Sequence, residues 1–470
     1  MIFPNHYLHT KWHWIPTNFI FLASTLIGRG YKPILVDDRL LTRAETLKII
    51  EDNINDTLVV LISTATGRQL YNTRILAEYI KRKASIPICV GGAHPSALPK
   101  LTLTDKNLDY VIEGQGEQAV CDLCDLIYKN KQTEDNLNLI PNLYFRTSKN
   151  NIVKATTPFK KINVRDMPPL PYFNKDFIDI EHYLNPNTLS VNYTTSSGCI
   201  GSCDFCYFPE DYKFSAFTTT RVIDDLKRFK ANYRIKNLTF DDPTFFVSPK
   251  RSVEIAKLMI KENLSIMWRA NGRVDTLSKF QEDDMMIIRD AGCHIIHVGL
   301  ESASERLLKM MNKQINHEDC IKLVHLSKIS EIRFRFHLMF GLPSETIDDL
   351  KITSLFLKKM LRIYPAFDYT CSFFTPYPGN ILTKLAQQFG YIQPSTLKGY
   401  ESVEYLNHKY LPENDRIVAR ETSPWVEDYD IPWYSEKYNR EYMQAFRELI
   451  PEKRDMLSTG GQTIDIFSHE

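Results

Sequence analysis

The chain has 470 residues, enough for two or three domains that each bury a core, and its 58 basic residues nearly cancel its 57 acidic ones. That balance gives no electrostatic case for nucleic acid or an anionic membrane surface as a partner. The opening Met-Ile-Phe-Pro-Asn-His lacks the charged-then-apolar signature of a signal peptide, and no run approaches the roughly 18 apolar residues that span a bilayer. With nine cysteines spread along the chain, a cytoplasmic location is expected.

In residues 1–140, short apolar runs alternate with amphipathic stretches, the pattern of a parallel sheet covered by helices. Strands are expected at 33–36, 58–63, 86–90 and 110–112, with helices near 18–28, 70–83 and 117–129. This reads as a doubly wound, Rossmann-like α/β unit whose first strand is short. Ligands of such sheets sit outside the carboxyl ends of the strands, which points to the loops Thr64-Ala-Thr-Gly67, Gly91-Gly-Ala-His-Pro95 and Glu113-Gly-Gln-Gly-Glu117. Cys121 and Cys124 fall on the apolar face of the last helix and are read as small hydrophobes; Cys89, Cys293, Cys320 and Cys371 are read as core.

Residues 141–185 hold a hairpin signal around Lys149-Asn-Asn151 and a stiff Met167-Pro-Pro-Leu-Pro171 linker. From 186 to 380, strand and helix signals alternate about six times, as a parallel barrel or partial barrel requires. Strands are expected at 190–195, 237–240, 266–270, 294–299, 333–340 and 368–374. Residues 381–470 are rich in aromatics from Tyr400 to Tyr442, interleaved with Pro412, Pro424 and Pro432, and suit a small, mainly helical cap on the barrel better than a lid over substrate. A helix is expected over 436–449, with Tyr438 and Tyr442 sharing a face.

The loop after the first barrel strand carries Cys199, Cys203 and Cys206 in Ser197-Gly-Cys-Ile-Gly-Ser-Cys-Asp-Phe-Cys-Tyr207. Three thiolates on a short loop hold three irons of a 4Fe–4S cube and leave the fourth open to a non-protein ligand. A zinc knuckle needs a fourth ligand, and the nearest histidine in sequence is His182. The cluster reading prevails, and an open iron implies chemistry at the cluster.

This cysteine spacing, with Phe205 before the last thiol, resembles the radical S-adenosylmethionine superfamily, whose open iron chelates the methionyl part of that cofactor. Gly-Gly-x-His-Pro and Glu-Gly-x-Gly-Glu at successive strand ends resemble the cobalamin-binding domain that precedes many such proteins. Class B radical S-adenosylmethionine methyltransferases combine both. The resemblance implies that Phe205, Tyr207, Asp241, Asp242, Arg273, Glu301, Ser302, Met339 and Gly341 lie around the cluster and S-adenosylmethionine. Asp241 or Asp242 accepts from the amino group, Arg273 clamps the carboxylate, Glu301 and Ser302 meet the ribose and carboxylate, and Met339 and Gly341 line the adenine. It implies a cobalamin site at Thr64, Gly91, Gly92, His94, Glu113 and Gly114; the Asp-x-His-x-x-Gly motif that supplies a lower axial histidine elsewhere is absent.

The implied chemistry is generation of a 5′-deoxyadenosyl radical followed by cobalamin-dependent methylation of an unactivated carbon. The alternatives are a cyclisation or ring rearrangement without methyl transfer, and a non-catalytic iron–sulfur or cobalamin sensor. Tyr377, on the exit loop of the last strand, is the candidate for quenching a radical or moving a proton. The expected partners are a small-molecule or peptide substrate and an electron donor such as flavodoxin or ferredoxin, with a monomeric chain.

Overall fold

The computed structural model describes residues 1–5, 13–159, 161–206, 214–401, 431 and 433–450. The first sheet contains β1 (Ile2–Phe3), β2 (Val36–Asp37), β3 (Val60–Ser63), β4 (Ile88–Gly91), β5 (Tyr110–Ile112), β6 (Leu143–Arg146) and β7 (Ile152–Lys154), in the order β2-β1-β3-β4-β5-β6-β7. The first five strands are parallel, and β6 adds antiparallel to β5, so the expected hairpin extends this sheet. The short β1 pairs with both β2 and β3 inside the sheet.

Next come β8 (Ser190–Tyr193), the ribbon β9 (Ser196–Ser197) and β10 (Ser215–Ala216), then β11 (Asn237–Phe240), β12 (Met267–Arg273), β13 (Cys293–Glu301), β14 (Arg333–Phe340) and β15 (Asp368–Phe373). Six of them form a parallel sheet in sequence order, β15-β14-β13-β12-β11-β8, with β8 and β15 as its two edges, a partial barrel of six units. The period of two decides what each face does. On β14, Phe334, Phe336, Leu338 and Phe340 are buried, whereas Arg333, Arg335, His337 and Met339 are half-buried on the opposite, lumen face.

One apolar core runs from Ile15, Ile20 and Phe21 through the barrel strands to Tyr442, Phe446 and Ile450. The helix Thr17–Gly28 joins the two halves: Phe21 stacks on Phe217 of the barrel side with centroids 6.1 Å apart, while Leu26 belongs to the core of the first sheet. Cys121 and Cys124 are buried on the helix Glu117–Tyr128, where burial pushes the Cys124 thiol up to about 12. Cys89, Cys293, Cys320 and Cys371 are buried as well. No described helix is long and apolar enough to cross a membrane.

Candidate active site

The cysteine loop leaves β9 through Gly198, at φ +81, and its backbone is tied down from two sides. Asp204 N–H donates to Met311 O at 3.0 Å, Ile381 N–H donates to Asp204 O at 3.0 Å, and the Asn312 amide donates to Ser202 O at 2.8 Å. All three cysteines are half-buried and outside any disulfide. Cys199 Sγ accepts from Gly201 N–H at 3.4 Å and lies 3.3 Å from Thr244 Oγ1; Cys203 Sγ accepts from Arg273 Nη1 at 3.5 Å.

These sulfurs therefore already face N–H donors, the surroundings that tune a thiolate-held cluster. Among the described residues no three His, Cys, Asp or Glu side chains converge to hold a single metal ion. A cubane asks for something different, one thiolate at each of three corner irons, and the loop's donor set fits that demand. Gly201 leaves room for the Arg273 guanidinium, since a Cβ there would stand 2.0 Å from Arg273 Nη1 and would displace it. Arg273 is further held by Asp275 at 2.9 Å. Phe205 packs beside the barrel core with Lys313 Nζ 5.4 Å from its ring centroid, and Tyr207 lies outside the described residues.

At the end of β11 the two aspartates part. Asp242 is fully buried and accepts from Thr195 N–H at 3.1 Å, Thr195 Oγ1 at 3.0 Å and Ser196 Oγ, so it braces the strand ends and does not face a ligand, which corrects the expectation for it. Asp241 points the other way, into a cavity, and accepts from the Asn192 amide at 3.2 Å. Asp241 is itself exposed to the cavity, and desolvation of its carboxyl by the surrounding protein pushes it up to about 6. A carboxyl raised on folding binds protons more tightly in the native state, so its contribution to stability is present below about pH 4 and is lost as pH rises towards 6. In Asp241→Asn the melting temperature of the apoprotein is expected to fall less over that window than in the wild type; parallel curves would contradict the assignment.

Glu301, at φ +67, sits at the end of β13 with Lys313 Nζ 2.6 Å from its Oε1, both side chains nearly buried. Gly299 makes room for this pair: a Cβ there would lie 2.5 Å from Glu301 Oε1. Lys313→Met leaves a buried carboxylate unpaired and is expected to cost roughly 3–5 kcal/mol, read from chemical or thermal unfolding. Ser302 is buried 3.4 Å from Thr353 Oγ1 and accepts from Ser304 N–H at 3.1 Å, so its hydroxyl is engaged within the fold and does not meet a ligand.

Met339 stands on the lumen face of β14. Gly341, at φ +67, is covered by Ile431, whose Cδ1 would be 3.0 Å from an added Cβ, and its N–H donates to Tyr442 Oη at 3.0 Å. Tyr442 donates in turn to Glu345 at 2.8 Å, and Tyr434 and Tyr438 donate to Glu345 O at 3.1 Å each. Burial pushes the Glu345 carboxyl up to about 8. The helix Glu436–Leu449 thus seals the β14 exit loop from outside, and Gly341 is wrapped by that cap. Of the aromatic tail, the stretch from Tyr405 to Tyr429 and Pro432 lies outside the described residues. Tyr377, 36% exposed on the β15 exit loop, does not line the cavity.

That cavity, about 500 Å³, opens between the two sheets. Thr64, Gly91, Gly92 and Gly114 line it from the first sheet, and Ser196, Ser197, Gly198 and Asp241 line it from the barrel, up to the residue before Cys199. An apolar arm reaches in among Leu22, Leu61, Val90, Ile112 and Val120. Three lining residues carry buried side-chain oxygens with no partner, Gln115 Oε1, Glu117 Oε2 and Thr194 Oγ1. A large ligand with an apolar body and a polar rim fits this lining, and cobalamin is such a molecule.

His94 and Glu113 do not reach the cavity. His94 is fully buried, its Nδ1 2.9 Å from Thr66 Oγ1 and its ring against Tyr400 at 5.2 Å, and burial lowers it to about 4. Glu113 pairs with Lys154 at 2.6 Å on the outside of the sheet. Both expectations are corrected: the turn after Gly92 carries His94 beneath the loop, and the pairing with Lys154 turns Glu113 away from the cavity. Among the described residues, none that lines the cavity is a histidine.

Sequence reasoning missed the polar belt inside the barrel. His297 Nδ1 lies 2.9 Å from His337 Nε2, and His337 Nδ1 lies 2.8 Å from Thr370 Oγ1, across three successive strands. Burial, then the adjoining His337, then Arg269 and Arg335 nearby, lower His297 to about 3. Histidines at alternate, lumen-facing positions of two predicted strands were the available signal.

A model of the radical SAM superfamily matches residues 193–357, and a model of the B12 binding domain matches residues 8–124. An uncharacterized methyltransferase of Pyrococcus horikoshii is 28% identical over 378 residues, 79% of this chain and 78% of that protein. The anaerobic magnesium-protoporphyrin IX monomethyl ester cyclase of Rubrivivax gelatinosus is 22% identical over 412 residues, 82% of this chain and 69% of that protein. Among solved structures, the radical S-adenosylmethionine methyltransferase TsrM of Kitasatospora setae with cobalamin and a 4Fe–4S cluster bound shares the fold at TM-score 0.67 and 16% identity, covering 86% of this chain and 84% of that one. The cofactors that go with the two domains are a 4Fe–4S cluster, S-adenosylmethionine and cobalamin. The chain is a radical SAM enzyme with a B12 binding domain in front of its catalytic barrel.

Proposed function

We propose that the enzyme methylates an unactivated carbon of a small molecule. The observation that carries this reading is the cavity shared by the two sheets, which runs from Gly91 and Gly92 to Gly198 beside the cysteine loop. When bound there, the cluster with S-adenosylmethionine supplies a 5′-deoxyadenosyl radical and cobalamin supplies a methyl group. The chain's own residues position and enclose. Cys199, Cys203 and Cys206 hold the cluster; Asp241 accepts from the amino group of S-adenosylmethionine; Arg273, beside Cys203, meets its carboxylate.

The substrate enters the lumen under the loop, where His297, His337 and Thr370 offer donors and acceptors at mid-barrel. A small-molecule substrate agrees with the TsrM structure that holds tryptophan, and methyl transfer with the description of the Pyrococcus relative. The enzyme works as a monomer and draws single electrons from a flavodoxin or ferredoxin.

The test is turnover of the reconstituted holoenzyme with methyl-deuterated S-adenosylmethionine, a reductant and a small-molecule extract. The reading predicts a carbon-bound deuterated methyl group in one product, formed with both S-adenosylhomocysteine and 5′-deoxyadenosine. Steady 5′-deoxyadenosine with an unlabelled, cyclised or rearranged product would replace methylation by the chemistry that the name of the Rubrivivax relative describes.

A further inference from the structure

The chain between β1 and the helix Thr17–Gly28 places Trp14 at the wall of the interdomain cavity with 41% of its surface exposed. An indole left open in this way forgoes the burial that makes tryptophan a core residue. It is also held firmly. Arg39 Nη2 donates to Trp14 O at 2.8 Å, and Arg39 is fixed by Asp37, which accepts from Tyr183 Oη at 2.9 Å. The next residue is gripped from the barrel, since Ile15 N–H donates to Asn192 Oδ1 at 2.8 Å and the Asn192 amide donates back to Ile15 O at 3.2 Å. The Arg269 guanidinium lies 5.5 Å from the indole centroid.

Both domains thus anchor one exposed aromatic surface inside the cavity that also carries the unpartnered oxygens of Gln115, Glu117 and Thr194. Gln115 and Thr194 are more than nine-tenths buried and come from opposite sides, the loop after β5 and the end of β8. A ligand that satisfies all of this is broad and flat in its middle and carries amides round its edge, which describes a corrin.

We propose that Trp14 is the platform on which the corrin of cobalamin rests, with Gln115 and Thr194 taking its amide arms from the two sheets. The inference builds on the reading that this cavity binds cobalamin. Aromatic packing against the ring then contributes directly to affinity, and the same contact ties cobalamin to the segment that Asn192 holds on the barrel.

The test is titration of the iron-loaded protein with hydroxocobalamin in the wild type, Trp14→Ala and Trp14→Phe, followed by the corrin spectrum, cobalt content and tryptophan emission. Trp14→Ala is expected to bind about tenfold or more weakly, from lost burial and stacking, and Trp14→Phe within about threefold of wild type. At saturation, Trp14→Phe loses less emission than wild type, because the indole nearest the absorbing corrin is gone. Iron content and circular dichroism stay unchanged in both variants. Wild-type affinity in Trp14→Ala, or equal quenching in Trp14→Phe, would overturn the platform while leaving the cobalamin site standing; no bound cobalt in the wild type would overturn both.

Discussion

Cys203→Ala is expected to reduce iron and sulfide to background on reconstitution and to abolish formation of 5′-deoxyadenosine from S-adenosylmethionine. Two thiolates do not hold a cube that depends on three. The fold is expected to survive. The loop is fastened by backbone bonds at Asp204 and Ser202, and Arg273 keeps its contact with Asp275 when the Cys203 sulfur is lost. Far-ultraviolet circular dichroism and hydroxocobalamin binding stay as in the wild type, since Cys203 does not line the interdomain cavity. Retained reductive cleavage in this variant would contradict the role given to the loop.

Gly92→Val is expected to have the reciprocal effect, removing cobalt and sparing iron. Gly92 stands at φ +99 and ψ −171, a region that is essentially closed to residues with a Cβ. Space is lacking too, because a Cβ would sit 2.6 Å from Thr64 O and 2.9 Å from Thr64 N. Thr64 and Gly91 both line the cavity, so the strain is relieved by moving its floor. Backbone strain and the clash together cost roughly 2–4 kcal/mol, felt in the first sheet. The expected result is loss of hydroxocobalamin binding with near-normal iron per chain and normal cleavage of S-adenosylmethionine. Undiminished cobalt would show that the loop 91–95 is not part of the site.

Both variants act on features that the amino-acid order displays openly. The strands Tyr110–Ile112, Asn237–Phe240 and Arg333–Phe340 and the helix Glu436–Leu449 have the expected bounds: the last three are periodic runs, and the first is a short apolar run closed by Glu113-Gly114. The cysteine loop is equally legible, since its chemistry depends on spacing along one short segment. Side-chain direction was legible only in part. Period-two alternation puts Asp242 on the buried face with Phe240 and Asp241 on the lumen face, a distinction available from β11 itself.

His94 required more than pattern. Its place beneath the loop follows from the backbone turn at Gly92 and from Tyr400, which covers its ring from 306 residues further along the chain. Gly341 fails as an exposed cofactor contact for a similar reason, because Tyr442 and Ile431 cover it from the distant tail. Trp14 carried no sequence signal, as its meaning lies in Arg39, which holds its carbonyl, and in Asn192 of the other domain, which holds Ile15. Local order fixes what an element is; which distant residue covers it is settled by packing.

The measurement that tests the account most directly is anaerobic reconstitution of the unaltered chain with iron, sulfide and hydroxocobalamin, followed by gel filtration and a count of metals per chain. Four irons and one cobalt are predicted from a cluster on the cysteine loop and a corrin in the interdomain cavity. Four irons with no cobalt would leave a radical enzyme whose first domain is scaffold, and would contradict cobalamin-dependent methylation.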